Sequence, residues 1–248
     1  MKKFEVLKIV FKMKTPVMLG HPWIFFDGLV THVLLRRELG DNYYNLPCKY
    51  PLQEVVDKLD VPIKRVYYSN GKFFYDCSVS IIDGQFYPYK NMSITHVRKR
   101  FTERYVHEVK TRKSRVEIAK GPFKLFDIKF IYVPCREITF YVNCIESEIV
   151  ELLKFVKCIG KKRAEGFGFV KSVDYVKTDL ETAIKFPNDI VTRPIPAKMV
   201  NQLETLRRYR QCELVTQAIR PPYWNIENIE LCTVPGKKYV LIEKESRI

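Results

Sequence analysis

The sequence predicts an α+β fold with the element order strand, helix, two strands, helix, strand. Three observations carry this. The N-terminal segment alternates apolar and polar residues, two later stretches space apolar residues for a helix, and a strand-like run follows the second of them.

In the first strand Leu7, Ile9, Phe11 and Met13 point one way and Lys8, Val10, Lys12 and Lys14 the other. After Pro16, Gly20 and Pro22 comes "DGLVTHVLLRREL", where Asp27 is placed to cap a helix. Leu29, Val30, Val33 and Leu34 form its stripe and Gly40 ends it. "RVYYSNGKFFYDCSV" reads as a hairpin turning at Asn70-Gly71. "LFDIKFIYV" and "EITFYVNC" are expected to be the two middle strands, separated by Pro134, Cys135 and Arg136. "ESEIVELLKFVK" is an amphipathic helix with Ile149, Val150, Leu152, Leu153 and Val156 inward and acids in its first turn. "FGFVKSVDYV" is the last strand. With residues 97–124 taken as an insertion, this is the ferredoxin-like (RRM-like) βαββαβ order, an antiparallel sheet with helices on one face. Residues 1–176 form that domain. Residues 177–248, with a helix expected over 197–211, form a C-terminal extension packed on it.

The chain has 248 residues, with 43 Lys and Arg against 28 Asp and Glu, a net charge of +15. Such an excess points to a polyanionic partner rather than to a particular fold. With 16 Phe, 15 Tyr and 2 Trp, the composition is that of a folded protein. No apolar run approaches a membrane span, and "MKKFEVLKIVFKMK" lacks the apolar core and cleavage site of a signal peptide. The seven cysteines are scattered without a CxxC pair, as expected for reduced thiols in the cytoplasm and not for zinc.

Two segments concentrate the candidate chemistry. Residues 97–124 carry ten basic and three acidic residues, net +7. Phe101, Tyr105, Val106, Val109, Val116 and Ile118 alternate there with Arg98, Lys99, Arg100, Arg104, Arg112, Lys113 and Arg115. Charge for phosphates and aromatics for unstacked bases are what single-stranded RNA recognition uses. A solvated surface hairpin is the other reading. The second segment is "CIGKKRAEGFGFV", where Lys161, Lys162 and Arg163 lie between Gly160 and the pair Gly166 and Gly168. The loop leaves a helix and enters a strand, the reverse of the Walker and dinucleotide-binding loops, and no Ser or Thr follows the lysines. It can form an anion-binding nest of backbone amides, or simply a helix C-cap with solvated lysines.

For catalysis the residues offer little. His21, His32, His96 and His107 show no metal spacing, and the carboxylates form no pair for two-metal hydrolysis. No cofactor is expected. Arg207, Arg208 and Arg210 on the expected C-terminal helix are weaker candidates for contact with RNA or a partner, with solvated helix charge as the plainer reading.

A ferredoxin-like order whose last helix-to-strand connection reads "IGKKRAEGFGFV" resembles the RAMP superfamily of CRISPR-associated proteins. Gly160, Lys161, Lys162, Arg163, Gly166, Phe167 and Gly168 match that superfamily's glycine-rich loop, which several of its families share. The tail motifs "RPIP" (193–196), "RPPYW" (220–224) and "CTVPGK" (232–237) are most similar to family five as found in type IV effector complexes. The resemblance implies a non-catalytic, cytoplasmic subunit that caps the 5′ handle of a CRISPR guide RNA. Residues 97–124 would then be a β-hairpin thumb. The implied partners are the guide, a RAMP filament backbone subunit, and the large subunit with target DNA. Family six, a metal-independent endoribonuclease of repeat RNA, is the rival, with His32 as its acid or base. A general basic RNA-binding accessory protein is the third possibility.

Overall fold

The computed structural model describes residues 3–45, 52–69, 71–99 and 124–242. The candidates Arg100, Arg104, Arg112, Lys113 and Arg115 lie outside them, as do Asn70, His107 and Cys48. The fold is mixed α+β with antiparallel sheets. In chain order the elements begin with β1 (Glu5–Met13), α1 (Phe26–Leu39), α2 (Leu52–Lys58), β2 (Arg65–Ser69), β3 (Lys72–Tyr75) and β4 (Ile81–Ile82). They continue with β5 (Ser93–Lys99), β6 (Phe126–Tyr132), β7 (Glu137–Cys144), α3 (Glu146–Leu153) and β8 (Val170–Lys177), then α4 (Gln202–Tyr209), β9 (Leu214–Ala218) and β10 (Ile229–Thr233).

The main sheet has the order β4-β7-β1-β8, each neighbouring pair antiparallel. Alternation along β1 buries Leu7, Ile9 and Phe11 completely, against Ile138, Phe140 and Val142 of β7. Phe26, Val30 and Val33 of α1 and Ile149, Leu152 and Leu153 of α3 complete that core. Phe140 is its pivot, 5.8 Å from the ring of Phe11 and 5.2 Å from that of Phe26. Each such side chain contributes roughly 1.5–3 kcal/mol on burial.

Three sequence expectations change. The strand beside β7 is the two-residue β4, paired Ile81 to Thr139, and not the run at 125–133. That run forms β6, which pairs with β5 in a separate ribbon, from Ser93 opposite Tyr132 to Lys99 opposite Phe126. Most of its apolar residues have no core to enter: Phe126, Ile128 and Ile131 are exposed, and within β6 only Phe130 is buried. The two strands flank residues 100–123. Secondly, Asp27 caps nothing. Phe25 is the N-cap residue of α1, and Asp27 is fully buried with its carboxylate turned inward. Thirdly, the helix expected over 197–211 is a 3₁₀ turn at Ala197–Met199 and then α4, whose cap Asn201 accepts from the Glu204 amide.

The inward turn of Asp27 meets the tail. Its Oδ1 accepts from the Tyr223 hydroxyl at 2.6 Å and its Oδ2 lies 3.4 Å from Arg193 Nη2. Arg193 is itself fully buried and donates to the carbonyls of Tyr75, Cys77 and Ile219. Asp76 adds a second buried tie, accepting from Asn143 on β7 and from Thr182 and the Ala183 amide in the tail. The "RPIP" and "RPPYW" motifs are thus anchors holding residues beyond β8 to α1 and β3.

Candidate nucleic-acid interface

The glycine-rich loop is stitched to the segment that leaves β1. The Lys161 amide donates to Met18 O, Gly168 to Pro16 O and Phe169 to Thr15 Oγ1, while Lys14 donates back to Phe169 O. Across the loop's own neck Ile159 donates to Gly168 O at 2.8 Å. Gly168 has φ +73°, and a Cβ there would sit 1.8 Å from the Ile159 carbonyl oxygen. Close approach does require this glycine, but the approaching group is the chain itself. Gly166, at φ +94°, faces open space and is needed only for its left-handed backbone.

This corrects the idea of a nest built from the whole loop. The amides of Lys161, Glu165, Gly166, Phe167, Gly168 and Phe169 all donate within the chain. Among the described residues, the loop amides of Gly160, Lys162, Arg163 and Ala164 have no acceptor in the chain, and the last three form the crown.

The three basic residues have separate fates. The Lys161 side chain lies across Gly20. Lys162, in a left-handed conformation at φ +57°, reaches Glu165 at 2.8 Å and sits 5.6 Å above the Phe130 ring. Its ammonium group holds the Glu165 carboxyl below the ordinary carboxylate range. Arg163 lines a groove of about 550 Å³ with Leu29, His32, Val33, Arg36, Arg37, Phe155 and Lys157.

That groove has an apolar wall, a rim of four cations and one histidine. The His32 ring shares a hydrogen bond of 2.9 Å between its Nδ1 and the Tyr43 hydroxyl. Burial depresses its pKa below 6.5, and Arg163 and Arg36 depress it further. His32 is therefore a neutral imidazole at pH 7. Arg36 and Arg37 were legible only as favourable charge at a helix C-terminus. Arg36 falls one turn after His32, which is the spacing that puts both on one face.

Phe167 links the loop to the ribbon, its ring centroid 5.9 Å from Phe130 and 5.7 Å from Tyr132. Each contact is worth about 0.5–1.5 kcal/mol. The loop thus adjoins the ribbon whose two strands flank residues 100–123. On the ribbon, Arg98 and His96 share Asp127, each at 2.8 Å, and this pairing lowers the Asp127 pKa. Lys99 ends β5 opposite Phe126. Arg207 and Arg208 on α4 face Glu204, and Arg210 takes a left-handed conformation at the helix end. His21, which the sequence marked only as lacking metal spacing, sits beside Trp23, and burial and then Lys161 count among the causes that lower its pKa. Among the described residues, no group of three or more His, Cys, Asp or Glu is placed to hold a metal ion, and no helix is long and apolar enough to cross a membrane.

No curated protein matches the chain. One solved structure that does is described as the cryo-EM structure of the type III-B Cmr-beta bound to cognate target RNA. Its TM-score is 0.34 at 8% identity, over 71% of this chain and 61% of that one. The family described as CRISPR type IV associated protein Csf3 matches residues 5–235, nearly the whole length. The chain belongs to that family, a family-five-like branch of the RAMP superfamily.

Proposed function

We propose that this protein is the non-catalytic subunit that caps the 5′ handle of the guide RNA in a type IV CRISPR effector complex. The observation that carries the proposal is the groove at the foot of the glycine-rich loop. Arg36, Arg37, Lys157 and Arg163 surround an apolar wall there, and the β5/β6 ribbon adjoins through Phe167. Cations for phosphate beside apolar and aromatic surface for an unstacked base suit a single strand and not a duplex. The sheet order β4-β7-β1-β8 supports the ferredoxin-like topology, with β1, β4, β7 and β8 as its four strands in sequence. Residues 97–124 would be the thumb that props the guide where a filament backbone subunit begins. The large subunit and target DNA would lie further out.

One observation favours the rival endoribonuclease. His32 is neutral, so its ring can accept a proton, and a phosphate in the groove would offset the two cations, Arg163 and Arg36, that oppose this. The test is end-labelled CRISPR repeat RNA incubated with the protein in EDTA, divided between a denaturing and a native gel. Intact, retained RNA that is released by Arg36→Ala/Arg163→Ala is expected. Discrete cleavage lost in His32→Ala would overturn the capping role. Equal retention of an unrelated RNA would instead make the protein a general binder.

A further inference from the structure

On the other side of α3 a second groove runs between that helix and β8. Its volume is about 320 Å³, and among the described residues β8 has a partner strand only on its β1 side. The floor is aliphatic, from Val150 and Leu153 on α3 and Val173 on β8, and Tyr175 stands 45% exposed at the edge. Beyond the lining residues, Lys177 of β8 bonds Glu146 in the first turn of α3 at 2.7 Å and Glu5 of β1 at 2.8 Å. This clasp lowers the Glu5 pKa to about 2 and fixes the spacing of strand and helix.

We propose that this groove binds an extended, acidic peptide segment of a partner protein, added as a fifth strand along β8. Three features choose the occupant. An open strand edge offers main-chain donors and acceptors in the register that a peptide completes. A hollow beside the edge, lined by Val150, Leu153 and Val173, takes one aliphatic side chain on the face that points toward α3. The lining includes Lys154, Lys157 and Lys171 and no carboxylate. Lys154 is paired with Glu151, but Lys157 and Lys171 have no ion-pair partner among the described residues. The aliphatic floor and the strand edge favour a peptide over RNA, which stacks on aromatic faces. Lys157 lies between the two grooves and lines both.

The test is selection of a random heptapeptide display library on the full-length protein, with Lys171→Glu/Tyr175→Ser as the counter-target. The expected consensus alternates Val, Ile or Leu with Asp or Glu. A fluorescein-labelled peptide of that consensus should bind at least tenfold more weakly to the variant. The variant should keep its melting temperature and its binding of repeat RNA, which separates this proposal from the handle-capping reading. No enrichment, or enrichment that survives in the variant, would overturn the proposal. Displacement of the peptide by a U8 oligonucleotide would overturn it too, since the groove would then be a nucleic-acid site. A dimer in light scattering that Lys171→Glu dissolves would assign the edge to a second copy of the chain and likewise overturn it.

Discussion

Asp27 on α1 and Arg193 in the tail form a fully buried ion pair, 3.4 Å apart, that joins elements 166 residues distant in sequence. Tyr223 completes it from the opposite side of the carboxylate. Burial, and then Asp27, push the Tyr223 phenol well above its usual pKa, so it remains a donor throughout the neutral range. Taking two charges out of water is costly, and the pair holds because carbonyls of Tyr75, Cys77 and Ile219 share the guanidinium.

Removing one partner should therefore cost more than removing both. Arg193→Met strands a buried carboxylate and is expected to lower stability by about 3–5 kcal/mol in urea unfolding. Arg193→Met with Asp27→Leu should recover a large part of that loss. If the double variant is as unstable as the sum of the single ones, the pair is not coupled.

The glycines of the loop should separate in the same kind of experiment. Gly166→Ala meets only the left-handed backbone penalty, about 1–2 kcal/mol. Gly168→Ala adds a clash with the Ile159 carbonyl and is expected to cost about 3 kcal/mol or more. It should also weaken RNA retention by breaking the loop's neck, while Gly166→Ala should not. Equal effects would mean that the neck is not what shapes the crown.

These results bear on what the sequence discloses. β1 and α3 were legible because burying one face of a strand or helix writes period-two or 3.6-residue patterns directly into the chain. β4 was not, because two residues, Ile81 and Ile82, carry no period. β6 has a strand's composition, but composition does not say which sheet it joins, and Phe126 and Ile128 are left exposed on a ribbon. Asp27 and Arg193 were read as a cap and as part of a tail motif, since polar residues are ordinarily placed outside; their burial depends on a tertiary partner. For the candidate site, the loop's position was visible in its glycines and charge. The groove was not, because Arg36, Arg37 and Lys157 become neighbours of Arg163 only when α1, the end of α3 and the loop converge.

Charge in the loop should act unevenly. Lys162 is shared with Glu165 and Phe130, whereas Arg163 faces the groove. Arg163→Ala should shallow the log–log salt dependence of RNA binding by about 0.7, the increment for one phosphate contact on a single strand. Glu165→Gln, which removes a negative charge and releases Lys162, should tighten binding and steepen the slope. A slope unchanged in both variants would remove the crown from the RNA interface.

The last expectation concerns pH. His32 has its pKa depressed in the folded protein, so between 6.5 and that lower value the unfolded chain takes up a proton that the native state refuses. Stability contributed by the neutral ring is complete above pH 6.5 and is lost as pH falls toward the folded pKa. His32→Gln should flatten that part of the stability curve. Phosphate in the groove reverses the balance, because it offsets Arg163 and Arg36 and favours the imidazolium. RNA affinity should then rise as pH is lowered from 7 through this window, and the imidazole resonances of His32 should titrate at higher pH in the complex than in the free protein. Arg163→Ala should raise the free value and shrink the difference. If His32 titrates at the same pH with and without RNA, no phosphate lies in the groove, and the handle must be held elsewhere on the loop.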